Sequence, residues 1–560
     1  MKSIDLPPDP AIVCPYPEQP FTHMALIASG GGFRAAAYTL GTLSYLNHVP
    51  FPTASGTTGR LLDQVTYLAS ASGGSLATAF YLNALVRNQS FAQFYGKFIQ
   101  FLTGSDTLQE VSAMLTDNRH WRRRSKRRNL INAFSKVYDR HLDGLTLGQL
   151  MNQPTHHVRE VCFNTTEFKY GMSFRFQTQE TGFGNQIGNF KVKFANKAVA
   201  EQLKVGDIIA ASSCFPAGFE PMLFPDDFTH EKLTEKALRE ATGLKEKDVF
   251  GLMDGGITDN QAVQSVMLAD TRPVIRGKPP THRFGLVLVT DVSNSFSPCY
   301  APTQPKKSWW RPLRLPWIVG GSAALTTLAA VWLSADQHWK NMVGALMLIP
   351  VALPVALVIY LNVKNQLGKR PSLFWRNGIR PFLQYFTNLR LGTLHDMLVD
   401  RVKSVNILAG DVMLKRIRRG DFNKLFEAPA WKFRRVSNFI YDLSTLHQSG
   451  ENRREDDEAE RQIPPPTEVI QKVAERARLM DTTLWFTDGP NGRLRNVIAT
   501  GQFTTCYNLL HYLIRLEGEP AGYDQLQPAV RQSLTALKQQ LLTDWETFCN
   551  DPFWLHDLPQ

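Results

Sequence analysis

The sequence predicts a layered α/β fold with a mainly parallel central sheet, and three observations carry that prediction. Residues 24–29 (MALIAS) and 65–70 (VTYLAS) are short apolar runs, each ending in a turn of small residues and followed by a helical pattern, over 34–49 and 74–87. Residues 284–289 (FGLVLV) form a third uninterrupted apolar run, closed by Thr290 and Asp291. Strands buried on both faces read as continuous apolar runs, and strands alternating with helices argue for parallel pairing. Chemistry on such sheets collects at the carboxyl ends of strands, where all three turns fall.

Composition agrees with a large folded chain. Its 560 residues leave room for roughly two to four domains. At 43% hydrophobic and 20% charged residues, a mostly disordered chain is excluded. The net charge of +12 suits a polyanionic surface, either nucleic acid or an anionic membrane, without choosing between them. Six cysteines (Cys14, Cys162, Cys214, Cys299, Cys506, Cys549) form no CxxC pair and have no histidines clustered around them. That excludes a zinc ribbon or a disulfide-stapled scaffold and favours reduced thiols in a cytoplasmic compartment. Residues 1–20 are polar and Pro-rich, without the apolar stretch of a signal peptide, so the first folded unit is expected to stay in the cytoplasm.

The turns carry the chemistry. After the first strand, residues 29–34 read SGGGFR. Successive glycines let backbone N–H groups point into a concavity suited to a phosphate or an oxyanion. No Gly-Lys-Ser/Thr ends this turn and the GxGxxG spacing fails at Ala35, which disfavours a P-loop and a dinucleotide fingerprint; a turn needing positive φ is the plain alternative. After the second strand, residues 70–75 (SASGGS) place Ser72 among small residues at a strand-to-helix turn. This is the setting of a nucleophile elbow, with Ser70 where the first Gly of GxSxG usually stands. The N–H after the serine and the helix N-terminus then face developing negative charge. Asp254-Gly255-Gly256 follows the apolar residues 250–253. An Asp there either meets a serine hydroxyl at close range or serves as an ordinary turn residue. None of the 13 histidines lies beside these motifs.

A Gly-rich turn, a serine elbow and a strand-end Asp-Gly-Gly in this order resemble the patatin-like phospholipase family, in a membrane-anchored form of bacterial type. Residues 210–221 (AASSCFPAGFEP) and 253–260 (MDGGITDN) share the likeness, which covers roughly 24–292 and, more loosely, the C-terminal part. The resemblance implies a Ser/Asp dyad, with Ser72 as nucleophile and Asp254 as its base. It also implies an oxyanion hole from the N–H groups of Gly31, Gly32 and Gly73, supported by Gly30, Arg34, Gly74, Gly255 and Gly256. The family's turn continues with a basic residue and then glycine; Arg34 matches and Ala35 departs. The implied activity is hydrolysis of phospholipid carboxylic esters through an acyl-enzyme, with no metal or cofactor. Two rivals stand beside it: a His-dependent serine esterase acting on neutral lipid or thioester, and a catalytically silent membrane scaffold.

A membrane hairpin is expected as an insertion. Residues 317–333 (WIVGGSAALTTLAAVWL) and 342–361 (MVGALMLIPVALPVALVIYL) carry no ionisable side chain. At about 1.5 Å per residue such lengths cross most or all of the hydrocarbon core. Two spans are predicted, about 317–334 and 342–361, with Pro350 and Pro354 bending the second. Lys306, Lys307, Arg311 and Arg314 precede them and Lys364, Lys369 and Arg370 follow, while the short loop holds only Asp336 and Lys340 as charges. Positive flanks place the catalytic domain and both termini in the cytoplasm.

The expected division is a catalytic domain over 1–305, the hairpin with its flanks over 306–370, a continuing helical region over 371–448, a charged and Pro-rich linker over 449–467, and a helical region over 468–560. Helical periodicity appears at 469–479, 507–516 and 528–542. Aromatic and basic residues interleave at 373–376 (LFWR) and 382–386 (FLQYF), as an interfacial helix or as core packing. The basic run 119–128 contains Arg122, Arg123, Arg124, Lys126, Arg127 and Arg128. With no nucleic-acid recognition fold beside it, anionic headgroups of a phospholipid bilayer are its expected partner, at about 1 kcal/mol per basic residue near the surface. A solvated loop is the plain alternative.

Overall fold

The computed structural model describes residues 16–52, 58–103, 105–121, 126–151, 156–179, 187–216, 218–275, 283–293, 389–408, 412–448, 459–480 and 492–557, with short stretches between 304 and 321 and Phe486. The apolar runs form the strands they suggest. β1 (Met24–Ala28) leads into α1 (Gly32–His48), and β2 (Val65–Ala71) leads into α2 (Gly73–Val86). β3 (Glu160–Glu167), β4 (Met172–Gln177) and β5 (Ile187–Gly188) follow. Next come α3 (Val205–Ser212), β6 (Met222–Phe224), β7 (Phe250–Asp254), α4 (Val263–Ile275) and β8 (Val287–Asp291). β8 starts later than the apolar run suggests. Asp270 takes the N–H groups of Arg283 and Phe284 at 3.0 and 3.3 Å, and Gly285 N–H bonds the Thr22 carbonyl at 3.2 Å, so these residues are committed outside the ladder.

Among the described residues nine strands form one sheet. With β9 (Arg435–Phe439) included, the order is β9-β8-β1-β2-β3-β4-β5, with β7 on β3 and β6 on β7. The run from β9 to β3 is parallel, and β4 to β7 pair antiparallel. Register fixes where the turns emerge: Ala28 lies opposite Ser70 on one side and Thr290 on the other. The Gly-rich turn and the serine turn therefore leave the same edge of the sheet side by side. β7 arrives from the opposite direction, with Asp254 opposite Thr165 of β3.

The C-terminal third belongs to this fold. By their contacts, Met1–Ser297 and Val412–Gln560 make one unit and Pro298–Asp411 a second. The region 371–448, expected to be helical, supplies α5 (Met413–Phe426) and then the strand β9. β9 is five residues long with alternate burial, as an edge strand should be, and a pattern that short does not separate from its helical surroundings. The helices α6 (Glu468–Leu479), α7 (Arg493–Glu517) and α8 (Pro528–Asn550) follow. α1 is buried on every side from Phe33 to Leu46 because α7 crosses it closely, the two helices meeting β9 where Asn438 Nδ2 donates to Thr42 Oγ1 at 3.2 Å and Thr505 Oγ1 at 2.8 Å. A Cβ at Gly501 would stand 2.4 Å from the Tyr38 carbonyl oxygen, and one at Gly41 2.2 Å from that of Ile498. Gly501→Val is therefore expected to cost about 1–3 kcal/mol or more by overpacking. Thermal unfolding beside the exposed control Gly96→Ala checks this, and an unchanged Tm would contradict the crossing.

The expected linker is fastened at its end. Residues 449–458 lie outside the described residues, but Pro464 accepts a hydrogen bond from Trp545 Nε1 at 2.8 Å and Pro466 from Gln471 Nε2 at 3.0 Å. In the second unit, the helix Leu391–Ile407 exposes Leu398, Val402 and Val405. The two predicted spans lie outside the described residues apart from Trp317 and Gly321, and so does 371–386. Among the described residues no helix is long and apolar enough to cross a membrane.

Candidate active site

Ser72 joins β2 to α2 with φ 50° and ψ −122°. An L-residue held in such a region costs about 1–3 kcal/mol and persists only where its surroundings impose it. Here the surroundings are specific. Ser72 N–H donates to Ser212 Oγ at 2.9 Å, and the Ser212 hydroxyl donates onward to the Asn164 carbonyl at 2.7 Å. The Ser75 hydroxyl completes the cluster, 3.0 Å from Ser212 Oγ. The small residues after Ser72 are required by close approach. A Cβ at Gly73 would lie 1.9 Å from the Gly32 carbonyl oxygen, and one at Gly74 2.6 Å from that of Ala28.

Asp254 ends β7 beside this turn. Its N–H donates to the Cys214 carbonyl and the next N–H, of Gly255, to the Ser212 carbonyl, each at 3.0 Å. The segment 212–214 thus braces both the serine turn and the aspartate loop, which gives residues 210–221 a structural role. The Asp254 carboxylate accepts the Gly256 N–H at 2.7 Å and feels the Ser72 hydroxyl beside it. Burial pushes its pKa up to about 6, against the pull of the Gly256 N–H, the Ser72 hydroxyl and the Arg418 charge. A carboxyl group poised there is ionised at neutral pH yet basic enough to take a proton. Among the described residues no histidine hydrogen-bonds Ser72 or Asp254.

The glycine turn supplies donors. Gly31 has φ 149° and Gly32 φ 61°, conformations that favour glycine. Gly30 N–H is held by the Asn260 carbonyl at 3.0 Å and Gly74 N–H by the Ser29 carbonyl at 3.2 Å. The N–H groups of Gly31, Gly32 and Gly73 carry no hydrogen bond among the described residues. Gly32 and Gly73 open α1 and α2, so two helix N-termini meet beside Ser72 with orphan donors. Among the remaining motif glycines, Gly255 packs on Asn164, where a Cβ would stand 2.2 Å from its carbonyl oxygen. A hydroxyl beside a near-neutral carboxylate, facing unsatisfied donors, is arranged for acyl transfer. Among the described residues no group of three His, Cys, Asp or Glu side chains is placed to hold a metal ion.

Other expected residues fall elsewhere. Arg34 is buried and points away from the turn, its guanidinium bonding the carbonyls of Arg478 and Met480 at the end of α6. Lys126 pairs with buried Asp207, Arg127 with Asp227 at 2.7 Å, and Arg128 bonds the Leu115 and Thr116 carbonyls at 2.7 and 2.9 Å. These three are engaged within the protein, and Arg122, Arg123 and Arg124 lie outside the described residues. The sequence reading missed Ser212, Asn164, Asn260 and Arg418. Ser212 stood inside a segment already singled out, whereas Arg418 on α5 had no local signal.

Residues 26–267 match the family model described as Patatin-like phospholipase. No curated protein matches the chain. Human GIVD cytosolic phospholipase A2 aligns at 14% identity with a TM-score of 0.30, covering 50% of this chain and 43% of that one. The same human protein in complex with methyl gamma-linolenyl fluorophosphonate aligns at 16% identity and a TM-score of 0.30, covering 50% of this chain and 41% of that one. The chain therefore spans less than half the length of these structures.

Proposed function

We propose, from the premise that residues 26–267 form a patatin-like phospholipase domain, that the protein is a lipid acyl hydrolase cleaving phospholipid carboxylic esters at a membrane, with Ser72 as nucleophile and Asp254 as its base. The strained Ser72 turn, with its hydroxyl beside a carboxyl group whose pKa burial lifts to about 6, supports this reading most directly. Ser72 Oγ attacks the ester carbonyl while Asp254 takes its proton. The oxyanion forms against the N–H groups of Gly31, Gly32 and Gly73, each such donor being worth roughly 3 kcal/mol. Asp254 returns the proton to the departing lysolipid alcohol, then takes one from the water that releases the fatty acid.

The membrane part of the proposal rests on the charge-free runs 317–333 and 342–361 and their basic flanks, which call for two spans with the catalytic domain and both termini cytoplasmic. The exposed Leu398, Val402 and Val405, spaced along one face of a helix in the second unit, add apolar surface to the same segment. Headgroup contact, in this reading, falls to Arg122, Arg123 and Arg124.

The purified protein is expected to release fatty acid from mixed phospholipid vesicles in preference to a triacylglycerol emulsion or an acyl-thioester. Release from the emulsion or thioester alone would replace the substrate, and no release from any of them would favour a scaffold. Retention in the membrane pellet after alkaline carbonate extraction is expected for the full chain; full release would remove the two spans.

A further inference from the structure

Arg418 reaches the site from α5, on the far side of the second unit in sequence. Its Nη2 donates to the Gly30 carbonyl oxygen at 3.4 Å. In the orientation its surroundings favour, the Asn260 side-chain oxygen accepts from Arg418 Nε at 2.6 Å and Nη2 at 2.9 Å. The Asn260 backbone carbonyl holds Gly30 N–H at 3.0 Å. One planar guanidinium thus ties the Gly-rich turn to the loop that follows Asp254, while the match to known families ends at residue 267, well before α5.

We propose that Arg418 is a positioning residue for ester cleavage, clamping the Gly30 turn to the Asp254 loop and holding a positive charge beside the carboxylate. The inference rests on the dyad reading above. Among the described residues, the charged and titratable groups facing Asp254 are Arg418 and the Cys214 thiol; burial, with the Asp254 charge, pushes that thiol well above its ordinary pKa, so it stays neutral. Arg418 lowers the Asp254 pKa. Its removal leaves burial less opposed, so the carboxyl group titrates at higher pH and the acid limb of activity moves upward.

The test follows hydrolysis of an uncharged short-chain ester, and of phospholipid vesicles beside it, against pH by the full-length protein, Arg418→Gln and Arg418→Lys, with thermal unfolding of each. In Arg418→Gln the acid limb is expected to rise by about one pH unit and kcat to fall roughly tenfold to a hundredfold as the loops lose register, with little change in KM. Arg418→Lys should restore the limb but only part of kcat, since an ammonium keeps the charge and loses the fork. An unchanged limb and kcat in Arg418→Gln would overturn the proposal. So would a defect confined to KM for phospholipid, which would make Arg418 a headgroup contact. If Arg418→Gln does not fold, Arg418→Lys decides: a parental kcat there overturns the clamp. Parental activity in Ser72→Ala and Asp254→Asn would instead show that the dyad reading itself had failed.

Discussion

Ser72→Ala is expected to lower ester hydrolysis by about a thousandfold or more, because among the described residues no other hydroxyl stands against both Asp254 and the orphan glycine donors. The companion Ser72→Gly should be equally inactive and yet more stable than the parent. Ser72 sits at φ 50° and ψ −122°, a region glycine enters without strain. Relief of about 1–3 kcal/mol is offset by the roughly 0.5–1 kcal/mol of extra chain entropy that glycine loses on folding. A net gain of about 1 kcal/mol, read as a higher Tm, is the expected result. A lower Tm for Ser72→Gly than for Ser72→Ala would mean that the turn is not strained and that its geometry is not imposed for chemistry.

Asp254→Asn is expected to remove activity by a comparable factor while making the protein more stable above pH 6. The folded pKa of Asp254 is raised to about 6 by burial, against about 3.9 in an unfolded chain. The folded state therefore holds this proton more tightly, and ionisation opposes folding. The penalty is absent below about pH 4, builds through about pH 4 to 6, and reaches at most about 3 kcal/mol above that. An amide escapes it but also loses the full strength of the hydrogen bond from Gly256 N–H and the pull of the Ser72 hydroxyl, so the net gain is smaller. Parental activity needs the ionised carboxylate, hence the rate should climb with pH through about 6 and then level. Tm measured at pH 4.5 and pH 8 gives the check: the advantage of Asp254→Asn should be markedly larger at the higher pH. Equal Tm differences at both values would contradict a raised pKa.

Much of the site is legible in the sequence because its demands are local. A glycine at φ 61°, a serine followed by two glycines with no space for a Cβ, and an aspartate before two more are all constraints that only certain residue types meet. The strands β1 and β2 were readable for a related reason, since a strand buried on both faces leaves an unbroken apolar run. What escapes is non-local. Ser212 acts through a hydroxyl that touches Ser72 N–H from 140 residues away; the segment 210–221 stands out in the sequence, but nothing local singles out this serine or its partner. Arg418 is one arginine in the run 416–419 (RIRR), and only the folding of α5 onto the Gly30 turn separates it from its neighbours. β9 was missed because a five-residue alternating edge strand carries little signal, and α7 was read too short because its stretch from Val497 to Tyr507 is buried on every side.

Covalent trapping tests the assignment of Ser72 most directly. The purified protein is treated with a fluorophosphonate ester at pH 8, digested, and the modified peptide sequenced by mass spectrometry beside residual vesicle hydrolysis. A single adduct on Ser72, formed in step with loss of fatty-acid release and absent in Ser72→Gly, is the predicted result. An adduct on another serine, or continued hydrolysis after complete modification of Ser72, would contradict the account.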